Sequence, residues 1–427
     1  MMKKKKILIV GGGGREHVIA WKLSQSPRVG EILCVPGNAG IAQIARCADT
    51  DAEDTEAVTA LAAREAPDLV VIGPEVPLAK GLTDRIEALG IPVFGPNERC
   101  ARLEASKSFT KRFLARHGIP TAGYLEFTDR EELRSKIGVF GYPMVLKADG
   151  LAAGKGVVIA QNAEEAERAV RDMMDDRVFG AAGDKIVVEE YLRGVEASVL
   201  CFVDGSAIVP MESAQDYKRI FDRDEGPNTG GMGTYSPSLV FDETLEKQIA
   251  DRILNPTFAG FRADGLDFKG VLFIGLMITD EGPKVIEFNN RFGDPEAQSV
   301  LRRLDTDLLD IFEAVTEDRL AGREIVWNDA RAVCVVMASG GYPGAYEKGK
   351  AISGLDDTDE GIVVFHAGTK FGPNGEFLTA GGRVLSVTAV GKTHDEAREK
   401  AYNNVKKISF EKAQYRTDIG IVYHDRA

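Results

Sequence analysis

Four apolar runs in the first hundred residues, each closed by a glycine-rich turn, restrict the fold more than any other feature. Ile7-Leu-Ile-Val10 leads into Gly11 to Gly14. Residues 31–35 end at Pro36-Gly37-Asn38-Ala-Gly40, residues 68–72 at Gly73-Pro74-Glu75, and Val93-Phe94 at Gly95-Pro96-Asn97. Runs without polar alternation are strands buried on both faces, which predicts a parallel sheet covered by helices. In such sheets ligands collect beyond the carboxyl ends of the strands, where all these turns lie.

A chain of 427 residues exceeds one ordinary core and predicts about three units. A net charge of -13 argues against a nucleic-acid partner, which needs a basic surface. It leaves room for small anionic substrates held by local clusters of Lys and Arg. The five cysteines are scattered, odd in number and without a Cys-x-x-Cys, so a disulfide framework is not expected and a reducing compartment, the cytoplasm, is. The basic start is followed by only four apolar residues before the glycines, too few for a secretion signal, and no apolar stretch approaches a membrane span.

Beyond the first unit, a helix pattern over residues 103–115 is stopped by Gly118-Ile-Pro120. Strands are predicted at 144–147, 157–160 and 186–190, with a helix over 163–174. Further strands follow at 197–202, 271–278 and 284–289, and a helix starts near Pro295 with Asp294 as its N-cap and Pro295 at the first helical position. The last hundred residues mix strands (332–337, 361–366, 384–390) with a helix behind the capping box Thr393-x-x-Glu396.

Five constellations carry chemistry. Gly11 to Gly14, between a strand and a helix, could bare amides to a phosphate, or could serve only close packing. A dinucleotide fingerprint is refused, because Glu16 or His17 stands in the third glycine slot and the second strand ends without an acid. Lys147-Ala-Asp-Gly-Leu-Ala-Ala-Gly-Lys155-Gly156 is not a Walker loop; it reads as a flap with a lysine on each side, suited to covering a triphosphate, or as a plain hairpin. In Glu287-Phe-Asn289, strand periodicity puts a carboxylate and an amide oxygen on one face, a donor set for magnesium or manganese. Arg291 directly after it could clamp a carboxylate. Asp216 to Gly233 is a long polar loop rich in glycine, uncommon unless it serves a site. Together these predict ATP-dependent phosphorylation of a carboxylate, with the acyl group passed to an amine. The chemistry requires in-line alignment and exclusion of water rather than a nucleophilic side chain.

The flap, Gly226-Pro-Asn-Thr-Gly-Gly-Met-Gly233, Glu287-Phe-Asn289 and Arg291-Phe-Gly-Asp-Pro-Glu296 resemble the glycinamide ribonucleotide synthetase (phosphoribosylamine–glycine ligase) family of the ATP-grasp superfamily. Gly37-Asn-Ala-Gly40, Gly73-Pro-Glu75 and Ser106-Lys107 fall in the same order, so the likeness covers nearly the whole chain. It implies an α/β and α+β protein: a Rossmann-like parallel-sheet domain (1–103), an ATP-grasp domain (104–325, with a flap subdomain over about 123–192) and a small mixed C-terminal domain (326–427). It implies that ATP, glycine and 5-phosphoribosylamine give glycinamide ribonucleotide, ADP and phosphate in purine synthesis, by way of glycyl phosphate. The expected partners are these small molecules, with no nucleic acid and no membrane, on a monomer or weak homo-oligomer.

By matching position, the resemblance makes Lys107, Lys147 and Lys155 the nucleotide-contacting lysines, Glu189 to Leu192 the adenine hinge and Glu196 the ribose ligand. Glu287 and Asn289 would hold Mg2+ or Mn2+. Arg291 and Asp216 would orient glycine at its two ends and, with Lys155, form the catalytic set. Gly12, Gly13, Asn38, Gly73 and Glu75 would receive the ribose phosphate and its amine, with Lys218, Gly293, Asp294 and Pro295 completing the substrate site. Two positions depart from the family pattern: Tyr217 stands where His is frequent, and Gly275 where other ATP-grasp enzymes carry a further acid. A same-fold ligase for another carboxylate and a non-catalytic nucleotide-binding module are the alternatives.

Overall fold

The computed structural model describes residues 4–152 and 156–421. The apolar runs of the first unit form a five-stranded sheet in the order Arg46–Cys47, Val29–Pro36, Lys5–Gly11, Leu69–Ile72, Val93–Phe94, every pair parallel. Its central strand is fully buried from Ile7 to Val10, as a run without polar alternation requires. The expected helix over 103–115 is two, Glu98–Ala105 and Lys107–Arg116, with Ser106 between them capping the second through Phe109 N–H at 3.2 Å.

Two sheets follow, each antiparallel throughout and each part of a mixed layer of strands and helices. One orders Tyr124–Phe127, Ile186–Glu190, Met144–Ala148 and Val157–Ala160, all antiparallel. In it Lys147 pairs with Val157 across the foot of the expected flap. The other orders Ile208–Pro210, Val195–Val203, Gly270–Thr279 and Gly282–Asn289, also antiparallel. Residues 191–194 join the two sheets. The C-terminal sheet is built on Arg331–Ser339 and Arg383–Gly391, with Val363–His366 beside the latter and Gly233–Ser236 beside the former. That last strand ties the C-terminal unit to the glycine-rich loop. Among the described residues no helix is long and apolar enough to cross a membrane.

The helix near Pro295 corrects the expectation. It runs only Glu296–Val300, Pro295 occupies its N-cap, and no side chain caps it. Asp294 instead accepts from Gln298 Nε2 at 2.8 Å and from the Arg15 N–H at 3.4 Å, so its carboxylate joins this turn to the start of helix Gly14–Ser24.

Phe292 anchors the same turn in the core. Its ring lies 6.3 Å from Phe94 of the parallel sheet, 6.1 Å from Phe202 of the second antiparallel sheet and 6.3 Å from Phe312. A buried aromatic shared by two sheets fixes the polar residues on either side of it. Phe292→Ala should therefore cost about 3–5 kcal/mol by cavity formation, seen as a lower denaturant midpoint. A shift worth less than about 1 kcal/mol would show that the turn is held by its polar contacts instead.

Candidate active site

A cleft of about 1390 Å3 opens between these two antiparallel sheets and is walled by residues from the N-terminal turns, the glycine-rich loop and the C-terminal sheet. Strand Gly282–Asn289 forms one side. Phe288 is buried and Glu287 and Asn289 on either side of it turn to the other face, where Asn289 Nδ2 lies 3.4 Å from Glu287 Oε1; a register shift at Ile286 interrupts the alternation, so Val285 is buried as well. Burial pushes the Glu287 carboxyl up, but the ammonium groups of Lys218, Lys147 and Lys107 outweigh it and hold the group below the usual range. Gly275 faces Glu287 across the sheet, and a Cβ there would sit 3.3 Å from Glu287 Cγ, which leaves little room for a further acid.

Lys147 and Lys107 come from different sheets and helices to this point. Lys147 donates to Ile286 O at 3.2 Å and pairs with buried Glu189 at 2.9 Å. Lys107 donates to Gly150 O at 2.9 Å; burial and then Lys147 lower its pKa against the pull of Glu287. Lys111, unassigned by sequence reasoning, pairs with the other oxygen of Glu189 at 3.0 Å, and burial brings its pKa down to about 8. Its spacing of four from Lys107 on one helix is the sequence signal that places both on one face. The Glu189 side chain is thus used between two lysines, leaving its backbone and the segment to Leu192 to edge the cleft. Lys155 lies outside the described residues.

Arg291 follows the Glu287–Asn289 pair and lines the same cleft. Its guanidinium is held 3.1 Å from Glu104 and 3.6 Å from Glu75, and 3.3 Å from Asn289 Oδ1. Glu104 also takes the Asn290 N–H at 2.7 Å, and burial drives its carboxyl up even with Arg291 beside it. Glu75 is opposed by burial too, but Arg291 and Arg15 keep it below the usual range. Glu104 and Arg15 belong to the site by geometry, although no motif marked them.

The opposite end is rich in acid. Asp216 lines the cleft with its Oδ1 buried and unpartnered, and burial together with Glu296 pushes its carboxyl well above the usual range. Glu296, quoted in the motif without a role, is also raised by burial. Lys218 stands between, 3.6 Å from half-exposed Glu196; burial lowers its pKa, yet Glu196, Glu287, Asp216 and Glu296 raise it overall. Gly231 is required here, with a φ of +110° and a Cβ position only 2.4 Å from Pro295 Cδ, and a Cβ at Gly293 would lie 2.3 Å from Glu296 Oε2 and displace that carboxylate. Gly293 and Pro295 support this end without lining the cleft. The Tyr217 hydroxyl donates to Ile421 O at 2.8 Å and accepts from Gly420 N–H at 3.1 Å, so this departure serves the C-terminal segment.

The N-terminal turns, where a phosphate cradle is expected, are closely packed. The Gly13 N–H is taken by Glu16 Oε2 at 2.6 Å, a carboxylate supplied three residues on. Gly12 packs so tightly that a Cβ would sit 2.3 Å from Gly37 O, and at Gly73 one would sit 2.0 Å from Glu16 Oε1. The Asn38 amide donates to Gly12 O and His366 O at 2.9 and 2.8 Å and accepts from Gly40 and Ile41 N–H, both at 2.9 Å, which saturates it. Gly12, Gly13, Asn38 and Gly73 are packed against these neighbours outside the lining of the cleft; of the N-terminal residues, Arg15, Pro74 and Glu75 reach it.

The chain matches three domains of one family along its length: the phosphoribosylglycinamide synthetase N domain over residues 5–104, the ATP-grasp (A) domain over 105–297 and the C domain over 332–422. It is 47% identical to the phosphoribosylamine–glycine ligase of Caldanaerobacter subterraneus over 96% of this chain and 98% of that protein. It is 49% identical to the one from Rhizobium meliloti, over 95% and 96%. Among solved structures, the phosphoribosylamine–glycine ligase of Thermotoga maritima superposes with a TM-score of 0.86 at 34% identity, covering 97% of this chain and all (100%) of that one. A biotin carboxylase from Campylobacter jejuni shares the fold at a TM-score of 0.76 and 15% identity, over 97% and 93%. With its ATP-grasp fold and its cleft between two antiparallel sheets, the chain belongs to the phosphoribosylglycinamide synthetase family.

Proposed function

We propose that the chain joins glycine to 5-phosphoribosylamine at the expense of ATP, through glycyl phosphate, giving glycinamide ribonucleotide, ADP and phosphate. The observation that carries this is the polarity of one cleft: lysines gather around Glu287 at one end, buried carboxylates around Asp216 at the other, and Arg291 stands between. A lysine-rich end suits a triphosphate and an acid-rich end suits an amine.

ATP lies in the cleft between the two antiparallel sheets in this proposal, its adenine on the backbone of Glu189 to Leu192, its ribose at Glu196 and its phosphates near Lys107, Lys147 and Lys155. Lys111 keeps Glu189 in place under that edge. Glu287 and Asn289 fit a hard divalent cation, Mg2+ or Mn2+: two oxygens share one face, and the surrounding lysines keep the carboxylate ionised. Among the described residues no group of three or more His, Cys, Asp or Glu could hold a metal, so phosphate oxygens and water would complete the shell. Bound there, the cation would offset phosphate charge.

Glycine is placed with its carboxylate toward Arg291 and its ammonium toward Asp216. Arg291 is set by Glu104 and Glu75 before any substrate arrives, so its orientation need not be reorganised during reaction. The walls exclude water from the acyl phosphate, which an amine must attack. 5-Phosphoribosylamine enters from the side of Glu75, Arg15 and Asp294; Lys218 and Glu296 border both substrates. The units 1–103, 104–325 (flap about 123–192) and 326–427 would contribute the amine site, the nucleotide site and the far wall. The five cysteines are free thiols, which supports a reducing, cytoplasmic setting, and the chain acts as a monomer or weak homo-oligomer.

The test is ADP release that requires glycine, phosphoribosylamine and a divalent cation together; release with other carboxylates and none with glycine would end the proposal. Glu287→Ala should lower kcat by about a hundredfold or more at ordinary magnesium while the thermal midpoint holds; undiminished turnover would remove the metal assignment. Arg291→Lys should raise the glycine KM by about tenfold, since a point charge cannot replace the fork set by Glu104 and Glu75. An unaltered glycine KM would take Arg291 out of that role.

A further inference from the structure

The glycine-rich loop meets the C-terminal sheet at Arg383, a residue outside every motif considered above. Arg383 opens strand Arg383–Gly391 and lines the cleft with a side chain 21% exposed. Its Nη1 donates to Gly230 O at 2.6 Å and to Asp294 O at 2.6 Å, with Gly231 O at 3.4 Å, while Nη2 lies 3.4 Å from Asp294 Oδ2. A second group from the same unit completes the grip: the Gly230 N–H donates to the Tyr342 hydroxyl at 2.9 Å. Both peptide groups of Gly230 are therefore held from the C-terminal side.

The consequence passes along the chain by contact. Gly231 has a φ of +110° and abuts two residues of the acid-rich end: a Cβ would lie 2.4 Å from Pro295 Cδ and 2.8 Å from Asp216 Oδ1. Position 231 has no room for a side chain on that face, and the backbone bonds on either side of Gly230–Gly231, Thr229 N–H to Lys218 O and Met232 N–H to Tyr217 O, both 2.8 Å, tie these peptides to the segment that carries Asp216. Arg383 also brings a positive charge to Asp294, Asp216 and Glu296, carboxylates that otherwise crowd one another. Nη1 meets the Gly230 and Asp294 carbonyls while Nη2 reaches the Asp294 carboxylate, a fixed planar spacing of donors that a single ammonium nitrogen does not reproduce.

We propose that Arg383, assisted by Tyr342, is a positioning residue for the glycine end of the cleft, clamping the Gly230–Gly231 peptides to Asp294 so that Asp216 is presented to the substrate ammonium. This rests on the assignment of Asp216 to glycine made above. It gives the C-terminal unit a direct part in substrate affinity, beyond closing the fold.

The experiment is steady-state kinetics on the full chain carrying Arg383→Gln, Arg383→Lys, Tyr342→Phe or Asp216→Asn, with affinity for a non-hydrolysable ATP analogue and the thermal midpoint measured beside it. Arg383→Gln should raise the glycine KM by about tenfold or more and leave the analogue's Kd within about twofold. Arg383→Lys should recover part of the loss, and Tyr342→Phe should raise the glycine KM by about threefold. A glycine KM within about twofold of the parent in Arg383→Gln, with Asp216→Asn strongly impaired, overturns the clamp and leaves the glycine assignment standing. Indifference to Asp216→Asn as well overturns the assignment and the clamp with it. Parallel weakening of glycine and ATP-analogue binding with a lowered thermal midpoint marks a general structural role and also overturns it. Should Arg383→Gln fail to fold, an unchanged glycine KM in both Arg383→Lys and Tyr342→Phe decides against the clamp.

Discussion

Burying carboxylates without leaving charge unpaired is the constraint on which this cleft depends. Glu104, Glu189 and Glu296 are each under a tenth exposed, and Asp216, Glu287 and Asp294 line the same cavity. A buried carboxylate without a partner costs several kcal/mol or gives up its charge. Glu189 is met by Lys111 and Lys147, Glu104 by Arg291, Asp294 by Arg383 and Arg15, and Glu287 by three lysines. Asp216 and Glu296 are left sharing Lys218 and Arg383 between them, and they alone of this set are raised by one another or by burial without a close ion pair.

That unequal matching is what gives the cleft direction. At the Glu287 end cations outnumber acids, and Lys107 and Lys111 are depressed by burial, with Lys147 adding repulsion, a state that an incoming triphosphate relieves. At the Asp216 end acids outnumber cations, a state that an ammonium relieves. In the proposed reaction each substrate would be drawn to the end whose electrostatic strain it removes. The arrangement is fixed in advance, because the residues sit on strands, on helices Glu98–Ala105 and Lys107–Arg116, on a turn anchored by Phe292 and on a loop held from the C-terminal side.

Much of this was legible in the chain itself, for reasons that differ from element to element. The parallel sheet was readable because its strands are apolar on both faces, a pattern no exposed strand carries. Glu287 and Asn289 were readable because a strand's period of two is geometry, not preference. Lys111 needed only the helix period, applied to a lysine that no motif names. The contacts of the N-terminal turns were less legible: Glu16 takes the Gly13 N–H as a local cap, whereas Asp294, which takes the Arg15 N–H, lies 279 positions further along. Asn38 and Arg383 were unreadable for the same cause: their partners, His366 O for one and Gly230 and Asp294 for the other, are brought near only by the folded C-terminal unit.

The C-terminal segment extends the same logic beyond the cleft. Arg416, fully buried, makes two bonds to Asp418 and one to Asp224, and its guanidinium lies 4.8 Å from the Tyr217 ring. Asp222 takes the Thr417 N–H at 2.8 Å. The loop that carries Asp216 and Lys218 is therefore pinned at its middle by residues near the end of the chain, and at Gly230 by Arg383. The Tyr217 side chain, which reaches this segment through its hydroxyl, contributes to holding the loop and leaves Asp216 and Lys218, on either side of it, facing the cleft.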